Sequence, residues 1–86
     1  MIEFSKALVE TEESIQRGQW SMIGVPVYRV VLVRCPLCSK TFTGRNYGIP
    51  RGHTIASDGT LSPSLVCPFP PCTFHEFVRL LDWVSP

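Results

Sequence analysis

The sequence lacks any apolar segment long enough to cross a membrane. Its longest run of aliphatic side chains, Val30–Val33, has four residues, whereas a spanning helix needs about 20. The first residues, Met1 to Lys6, also lack the basic region and the apolar stretch of a secretion signal. We therefore expect no membrane contact and a cytoplasmic location, where cysteine thiols stay reduced.

The sequence also has little net charge. Its eight Lys and Arg residues against seven Asp and Glu residues give +1, with two cations against four carboxylates in residues 1–28 and six against three in residues 29–86. This balance excludes a protein that holds nucleic acid by bulk charge, so any such contact must be local. A chain of 86 residues, 44% of them hydrophobic, forms one small domain, and cores of that size usually need a metal or disulfides.

Groups for acid–base catalysis are scarce. His53, Asp58 and His75 are the candidates, and nothing in their spacing brings them together. We therefore expect a protein that is not an enzyme and has no small-molecule substrate.

The chain divides into an N-terminal helix or arm, residues 1–19, and a β-rich domain, residues 20–86. In Ser5–Gln19, Ser5 is a possible helix cap and Gly18 a possible stop, so a short helix is favoured, although an extended arm or an edge hairpin also fits. The β-branched and aromatic residues between Trp20 and Arg34 indicate a strand that leads into Cys35. A short strand is expected at Thr41–Thr43.

Two later segments complete the fold prediction. Asp58-Gly59 lies between His53–Ile55 and Leu61–Val66 and is typical of a hairpin turn that needs positive φ. The secondary structure of Thr73–Val84 is left undecided, because its apolar residues fit a helical repeat and a strand that returns to the sheet equally well.

The four cysteines are the most informative feature. Cys35-Pro36-Leu37-Cys38 has the spacing of a knuckle that folds two thiolates over one metal ion, and Cys67 and Cys72 follow after 28 intervening residues. This pattern predicts a small zinc ribbon, an antiparallel sheet with one structural Zn²⁺ bound by all four thiolates. The second pair departs from the usual spacing, because four residues separate its cysteines.

Two further features leave alternatives at this site. His75 lies three residues after Cys72 and could replace Cys67 as the fourth ligand, with His53 as a more remote candidate. Ser39 stands where a glycine commonly relieves the turn after the first pair. A site with four thiolates leaves no position for water or substrate, so we expect the ion to be structural.

The stretch after the first pair carries no acidic residue. Its cations and aromatic side chains would neutralise phosphates and stack on bases, so the predicted nucleic-acid-binding residues are Lys40, Phe42, Arg45, Tyr47 and Arg51. An ordinary solvated face with Phe42 packed inward is the alternative. A second functional hypothesis is an adaptor or inhibitor that binds a host protein, through the acidic segment Glu10–Glu13 or through Phe69 at the tip of a proline-rich loop.

A resemblance adds to this interpretation. The segment Gly59-Thr60-Leu61-Ser62-Pro63-Ser64-Leu65, followed by Cys72, His75, Phe77, Arg79 and Trp83, resembles small uncharacterised zinc-ribbon-like proteins of bacteriophages and prophages. In these proteins a Cys-Pro-x-Cys knuckle precedes a Pro-Ser-Leu or Pro-Ser-Val strand and a later strand with Phe-x-Arg. The resemblance covers about residues 31–83, and it implies a strand at Phe74–Trp83, a phage origin and no defined activity. The host cytoplasm is then the expected location.

Overall fold

The computed structural model describes residues 1–25, 28–45 and 53–84. It is a small β-rich fold, as the sequence predicts. Nine strands are described: β1 (Ile2–Lys6), β2 (Gln19–Val25), β3 (Tyr28–Arg34), β4 (Thr41–Arg45), β5 (Thr54–Ile55), β6 (Leu61–Ser62), β7 (Leu65–Val66), β8 (His75–Glu76) and β9 (Val78–Leu80). In these parts of the chain no helix is long and apolar enough to pass through a bilayer.

Five strands form the main sheet, in the order β4-β3-β2-β1-β9. Neighbours among β2, β3 and β4 are antiparallel, whereas β1 is parallel to both β2 and β9. The sheet is therefore mixed, and the prediction of an antiparallel sheet is right only for its β2–β4 part. The pairs β5–β6 and β7–β8 are separate antiparallel hairpins.

The helix predicted for Ser5–Gln19 is wrong. Its first residues belong to β1, and only Glu12–Ser14 forms a single 3₁₀ turn. A helix would place Ala7, Leu8 and Ile15 on one apolar face. In the structure Leu8 is fully exposed while Ala7 and Ile15 pack against Leu32, so the three side chains share no face.

The segment from Trp20 to Arg34 holds two strands where one was expected. β2 and β3 pair as a hairpin in which Trp20 faces Val33 and Met22 faces Val31. Trp20, Val31 and Val33 are buried in the main core, and burial of side chains of this size stabilises a fold by about 1.5–3 kcal/mol each. As predicted, β3 leads directly into Cys35.

The C-terminal segment is extended, but the single strand that the resemblance implies over Phe74–Trp83 is divided into β8, which pairs with β7, and β9, which joins the main sheet. Val78 and Leu80 are completely buried and Arg79 between them is not, which is the two-residue alternation of a strand with one face on the core. β9 pairs with β1 through Ile2↔Val78 and Phe4↔Leu80. The helical alternative for this segment is wrong, because β9 pairs with residues 76 positions earlier in the sequence, and the local pattern does not reveal that partner.

Aromatic residues hold the C-terminus against the sheet. The Trp20 and Trp83 ring centroids lie 5.5 Å apart, and the indole nitrogen of Trp20 donates a hydrogen bond to the Leu81 carbonyl oxygen, 2.9 Å away. Phe4 and Phe74 pack in the same core, with ring centroids 6.1 Å apart. Strands from both ends of the sequence therefore share one apolar core.

The hairpin at Asp58-Gly59 is confirmed. β5 and β6 pair on either side of it, and Gly59 has φ +91°. The Gly59 carbonyl oxygen accepts a hydrogen bond of 2.8 Å from the Leu80 amide, so the turn also contacts β9. Asp58 Oδ1 accepts a bond of 3.0 Å from the Thr60 amide, and this N–H lowers the pKa of the Asp58 carboxyl.

Candidate metal centre

The four cysteines meet at one end of the core. Their sulfur atoms all lie within 4.8 Å of one another. The closest pairs are Cys35 with Cys72 and Cys38 with Cys67, each with 3.6 Å between the Sγ atoms. All four are free thiols, because a disulfide bond brings two sulfurs to about 2.05 Å. The cluster could therefore coordinate one metal ion.

The first pair sits on the turn between β3 and β4. The Cys35 amide donates to the Lys40 carbonyl oxygen and the Ser39 amide donates to the Cys35 carbonyl oxygen, both at 2.9 Å. These two bonds close a tight loop that turns Cys35 and Cys38 to the same side. The predicted glycine position holds Ser39 at φ +66°, a conformation that costs an L residue about 1–2 kcal/mol.

Arg34 supports this unusual conformation. Its guanidinium donates to the Ser39 carbonyl oxygen at 2.7 Å and also to the Ile15 carbonyl oxygen. One planar side chain thus ties the turn of the first pair to the N-terminal segment. The sequence pattern around Arg34 does not reveal this role, because the contact joins residues 19 positions apart.

The second pair sits on the hairpin between β7 and β8. The Cys67 amide donates to the Phe74 carbonyl oxygen at 3.1 Å, and the Cys72 amide donates to the Phe69 carbonyl oxygen at 2.9 Å. The extra residues between the cysteines therefore form a hydrogen-bonded turn of their own, and Cys72 returns to the cluster. The unusual spacing does not keep the second pair apart from the first.

Backbone amides and burial act on the thiols in opposite directions. The Lys40 amide lowers the pKa of the Cys38 thiol to about 7, because an N–H that points at sulfur favours the thiolate. Burial raises the pKa of the Cys67 thiol to about 12, and it also raises that of Cys35 against the amides of Cys38 and Leu37. Cys38 is therefore the most acidic of these three thiols, and an ion would have to displace protons from the buried ones.

Neither histidine belongs to the cysteine cluster. His75 Nε2 shares a hydrogen bond of 2.7 Å with the Ser64 hydroxyl, and its side chain is exposed. His53 Nε2 donates to the Ser64 carbonyl oxygen at 2.8 Å. The fold thus brings both histidines to Ser64, and it groups Cys67 with the other three cysteines.

The five predicted nucleic-acid-binding residues do not share one environment in the structure. Lys40 is exposed, and its Nζ lies 5.3 Å from the Phe69 ring centroid. Phe42 is only 7% exposed and packs edge-on against Phe69 at a centroid distance of 6.3 Å, so its ring offers no free face for a base. Arg45 ends β4 opposite Val30. Tyr47 and Arg51 lie outside the described residues.

The structure also describes the two surfaces through which an adaptor could bind a protein, the acidic segment Glu10–Glu13 and the loop of Phe69. Glu10, Glu12 and Glu13 are exposed, and a Glu12 carboxylate oxygen accepts a hydrogen bond of 2.9 Å from the Thr41 hydroxyl. Phe69, expected as an exposed anchor, is half-buried against the core. Its outer face remains part of the surface beside the cysteines.

No protein-family model, curated protein or solved structure was found to match this chain. The resemblance to phage zinc-ribbon-like proteins stays a prediction.

Proposed function

We propose that the chain is a non-enzymatic binding module in which Cys35, Cys38, Cys67 and Cys72 hold one structural Zn²⁺. The observation that carries this proposal is the four-sulfur cluster. Sulfurs placed tetrahedrally at a Zn–S distance of about 2.3 Å are separated by about 3.8 Å, and the closest pairs in the fold are 3.6 Å apart. A four-thiolate set suits Zn²⁺ and leaves it no open position for catalysis.

The position of the cluster supports a structural role. Cys35 and Cys67 are buried members of the main core, one at the end of β3 and the other after β7. An ion there would join the large sheet to a hairpin whose strands have only two residues each. Such short pairs are too small to be stable alone. The result is a zinc ribbon with an added N-terminal strand.

Native mass spectrometry before and after a strong chelator tests this step. We expect one zinc ion per chain and loss of folded charge states when the ion is removed. A chain without metal whose fold ignores the chelator would show that the cysteines are only core residues, and the structural zinc would be abandoned.

Nucleic acid is the first proposed partner. Lys40, Arg45 and Arg51 would contact phosphates, and Tyr47 would stack on a base. The observation in favour is that Lys40 is exposed beside β4, in a stretch with no acidic residue. Phe42 is no longer assigned a stacking role, because it is buried.

Replacement of the three cations by Ala should weaken binding of a single-stranded oligonucleotide. Because each phosphate contact releases counterions, the slope of log K against log salt should become shallower by up to about 2. Lys6→Ala is a control of the same residue type on β1. An unchanged salt slope in the triple variant would count against nucleic acid as the partner.

A host protein is the second candidate partner. The segment before the 3₁₀ turn exposes two apolar side chains, Leu8 and Val9, directly before Glu10. Exposed apolar residues edged by carboxylates are a common composition for a contact with a basic protein surface. Removal of residues 1–19 would delete β1 from inside the sheet, so the matched test is Leu8→Ser with Val9→Ser. Capture of a host protein that survives both changes would place the contact elsewhere.

A further inference from the structure

A groove lies beside the cysteine cluster and is built from both cysteine turns. It has a volume of about 270 Å³, and its walls include Leu37, Lys40, Phe69, Pro70, Pro71 and Thr73. The sulfur-bearing residues Cys38 and Cys72 form part of its floor. Neither turn makes the groove alone, because Leu37 and Lys40 belong to the first pair and the remaining wall residues to the second.

The groove exposes apolar surface that the fold does not use. Leu37 is 57% exposed at the tip of the first turn. Phe69 is half-buried; its ring centroid lies 6.3 Å from that of Phe42 and 5.3 Å from Lys40 Nζ. A large aliphatic side chain that remains exposed next to an aromatic ring marks a contact surface when both face the same cavity.

The walls of the groove are held in place before any partner arrives. The Cys72 amide bonds to the Phe69 carbonyl oxygen, and the Cys35 amide bonds to the Lys40 carbonyl oxygen, both at 2.9 Å. Pro70 and Pro71 restrict the backbone between Phe69 and Cys72. A preformed site loses little conformational entropy on binding, so even a small contact area can be specific.

Size and charge define the occupant. A volume of about 270 Å³ is below the range of about 300–1,000 Å³ of small-molecule pockets and suits one or two amino-acid side chains. None of the described residues that line the groove is acidic, and Lys40 is the cation among them. The sulfurs of Cys38 and Cys72 also line the groove and would be bound to the ion, whereas Lys40 is exposed.

We propose that this groove binds a peptide segment of a partner protein in which a large apolar side chain stands next to an Asp or Glu. The apolar side chain packs between Leu37 and Phe69, and the carboxylate pairs with Lys40 Nζ. The proposal rests on the structural metal centre, which connects the two turns. It goes beyond the proposed nucleic-acid contact, because Leu37 and Phe69 have no part in that hypothesis.

A random 12-residue peptide display library, panned against the zinc-loaded full chain, tests the proposal. We expect enriched peptides to share an apolar residue adjacent to an acidic one. A synthetic peptide of that consensus should bind the Leu37→Ser variant about tenfold more weakly, a loss that corresponds to about 1.4 kcal/mol. Val84→Ser is the matched control, because Val84 is also aliphatic, is 76% exposed and does not line the groove.

A second variant tests the proposed pairing between the peptide carboxylate and Lys40. Lys40→Glu should weaken the acidic peptide at least tenfold and, in a second panning, enrich basic peptides instead. Arg17→Glu is the control, since Arg17 is exposed but lines another surface depression. Both groove residues are exposed, so the fold should tolerate their replacement, and the zinc content of each variant is measured by native mass spectrometry.

Four outcomes would overturn the proposal. The first two are the absence of a consensus and a basic consensus. The third is equal binding of the peptide by Leu37→Ser and Val84→Ser. The fourth is an oligonucleotide that displaces the peptide and whose own binding is weakened by Leu37→Ser. The experiment distinguishes a failure of the proposed metal centre from a failure of the proposed peptide site. A chain that contains no zinc but still binds the peptide through Leu37 would keep the groove and discard the structural zinc.

Discussion

Replacement of Gly59 by Ala tests how the C-terminal strand is held. Gly59 has φ +91°, and a Cβ atom built there would lie 2.1 Å from the Leu80 carbonyl oxygen and 3.0 Å from Trp83 Cβ. The positive φ costs about 1–2 kcal/mol. The clash must move β9 by about 1 Å to restore ordinary contact, which weakens the Leu80 amide bond to Gly59, worth about 0.5–1.5 kcal/mol, and loosens the packing of Leu80 and Trp83.

We therefore expect Gly59→Ala to reduce the free energy of unfolding by about 1.5–3.5 kcal/mol, the sum of these two costs, with the loss of packing in addition. A domain of this size has a total stability of about 4–13 kcal/mol, so the variant should lose a large part of it. The chain offers a matched control in Gly18, which also has positive φ, +72°, but whose added Cβ would lie 4.0 Å from its nearest neighbour, Pro36 Cβ. Gly18→Ala should cost only the conformational term of about 1–2 kcal/mol.

Urea denaturation of the zinc-loaded variants, followed by tryptophan fluorescence, measures both changes. For a domain of 60–100 residues each kcal/mol corresponds to about 4–8 °C in Tm, so a thermal melt provides a second measurement. Equal losses in Gly59→Ala and Gly18→Ala would refute the reasoning, because the contact of Gly59 with β9 would then contribute nothing.

Three further predictions concern the cluster and the turns beside it. Cys67→Ser should abolish stoichiometric zinc binding while His75→Ala retains it, as measured by native mass spectrometry; the reverse result would make the histidine the fourth ligand. Because the pKa of Asp58 is lowered in the folded state, its contribution to stability is present above its unfolded pKa and is lost as pH falls through the folded value. Asp58→Asn should therefore flatten the fall in Tm as the pH drops below about 4, the ordinary pKa of an Asp carboxyl, and a parallel pH profile would contradict this. Arg34→Lys loses the planar fork that reaches Ser39 and should lower stability by about 1–2 kcal/mol in urea; an unchanged midpoint would remove Arg34 from the support of that turn.

The local features of the fold could be predicted, and the long-range pairings could not. Asp58-Gly59 specifies its turn through backbone chemistry, and the Cys35–Cys38 spacing specifies a knuckle, so both predictions needed no other part of the chain. The role of Phe4 depends on Leu80, its partner in the parallel pair of β1 and β9. Because of that pairing, the start of the N-terminal segment forms a strand despite its weak helical pattern. A local sequence pattern does not indicate a pairing partner so distant in the chain.

In the candidate site, too, the local features could be predicted and the long-range contacts could not. The four cysteines could be predicted to converge, since their chemistry leaves few other uses in a small reduced domain. The burial of Phe42 agrees with the alternative in which its side chain packs inward. Its packing partner could not be predicted, because Phe69 comes from a turn 27 residues later. The groove could not be predicted from the sequence for the same reason, because Leu37 and Pro70 line it together only when both cysteine turns are folded.

If the cluster holds an ion and the groove holds a peptide, this joint construction would link the two binding events thermodynamically. The walls of the groove come from two turns that approach each other at the sulfur atoms of Cys35, Cys38, Cys67 and Cys72. An ion that fixed those sulfurs would remove disorder which a peptide would otherwise have to remove. By reciprocity, a bound peptide would then raise the affinity for the ion by the same factor as the ion raises the affinity for the peptide. A structural ion at this position would contribute to recognition as well as to stability, without contacting the partner.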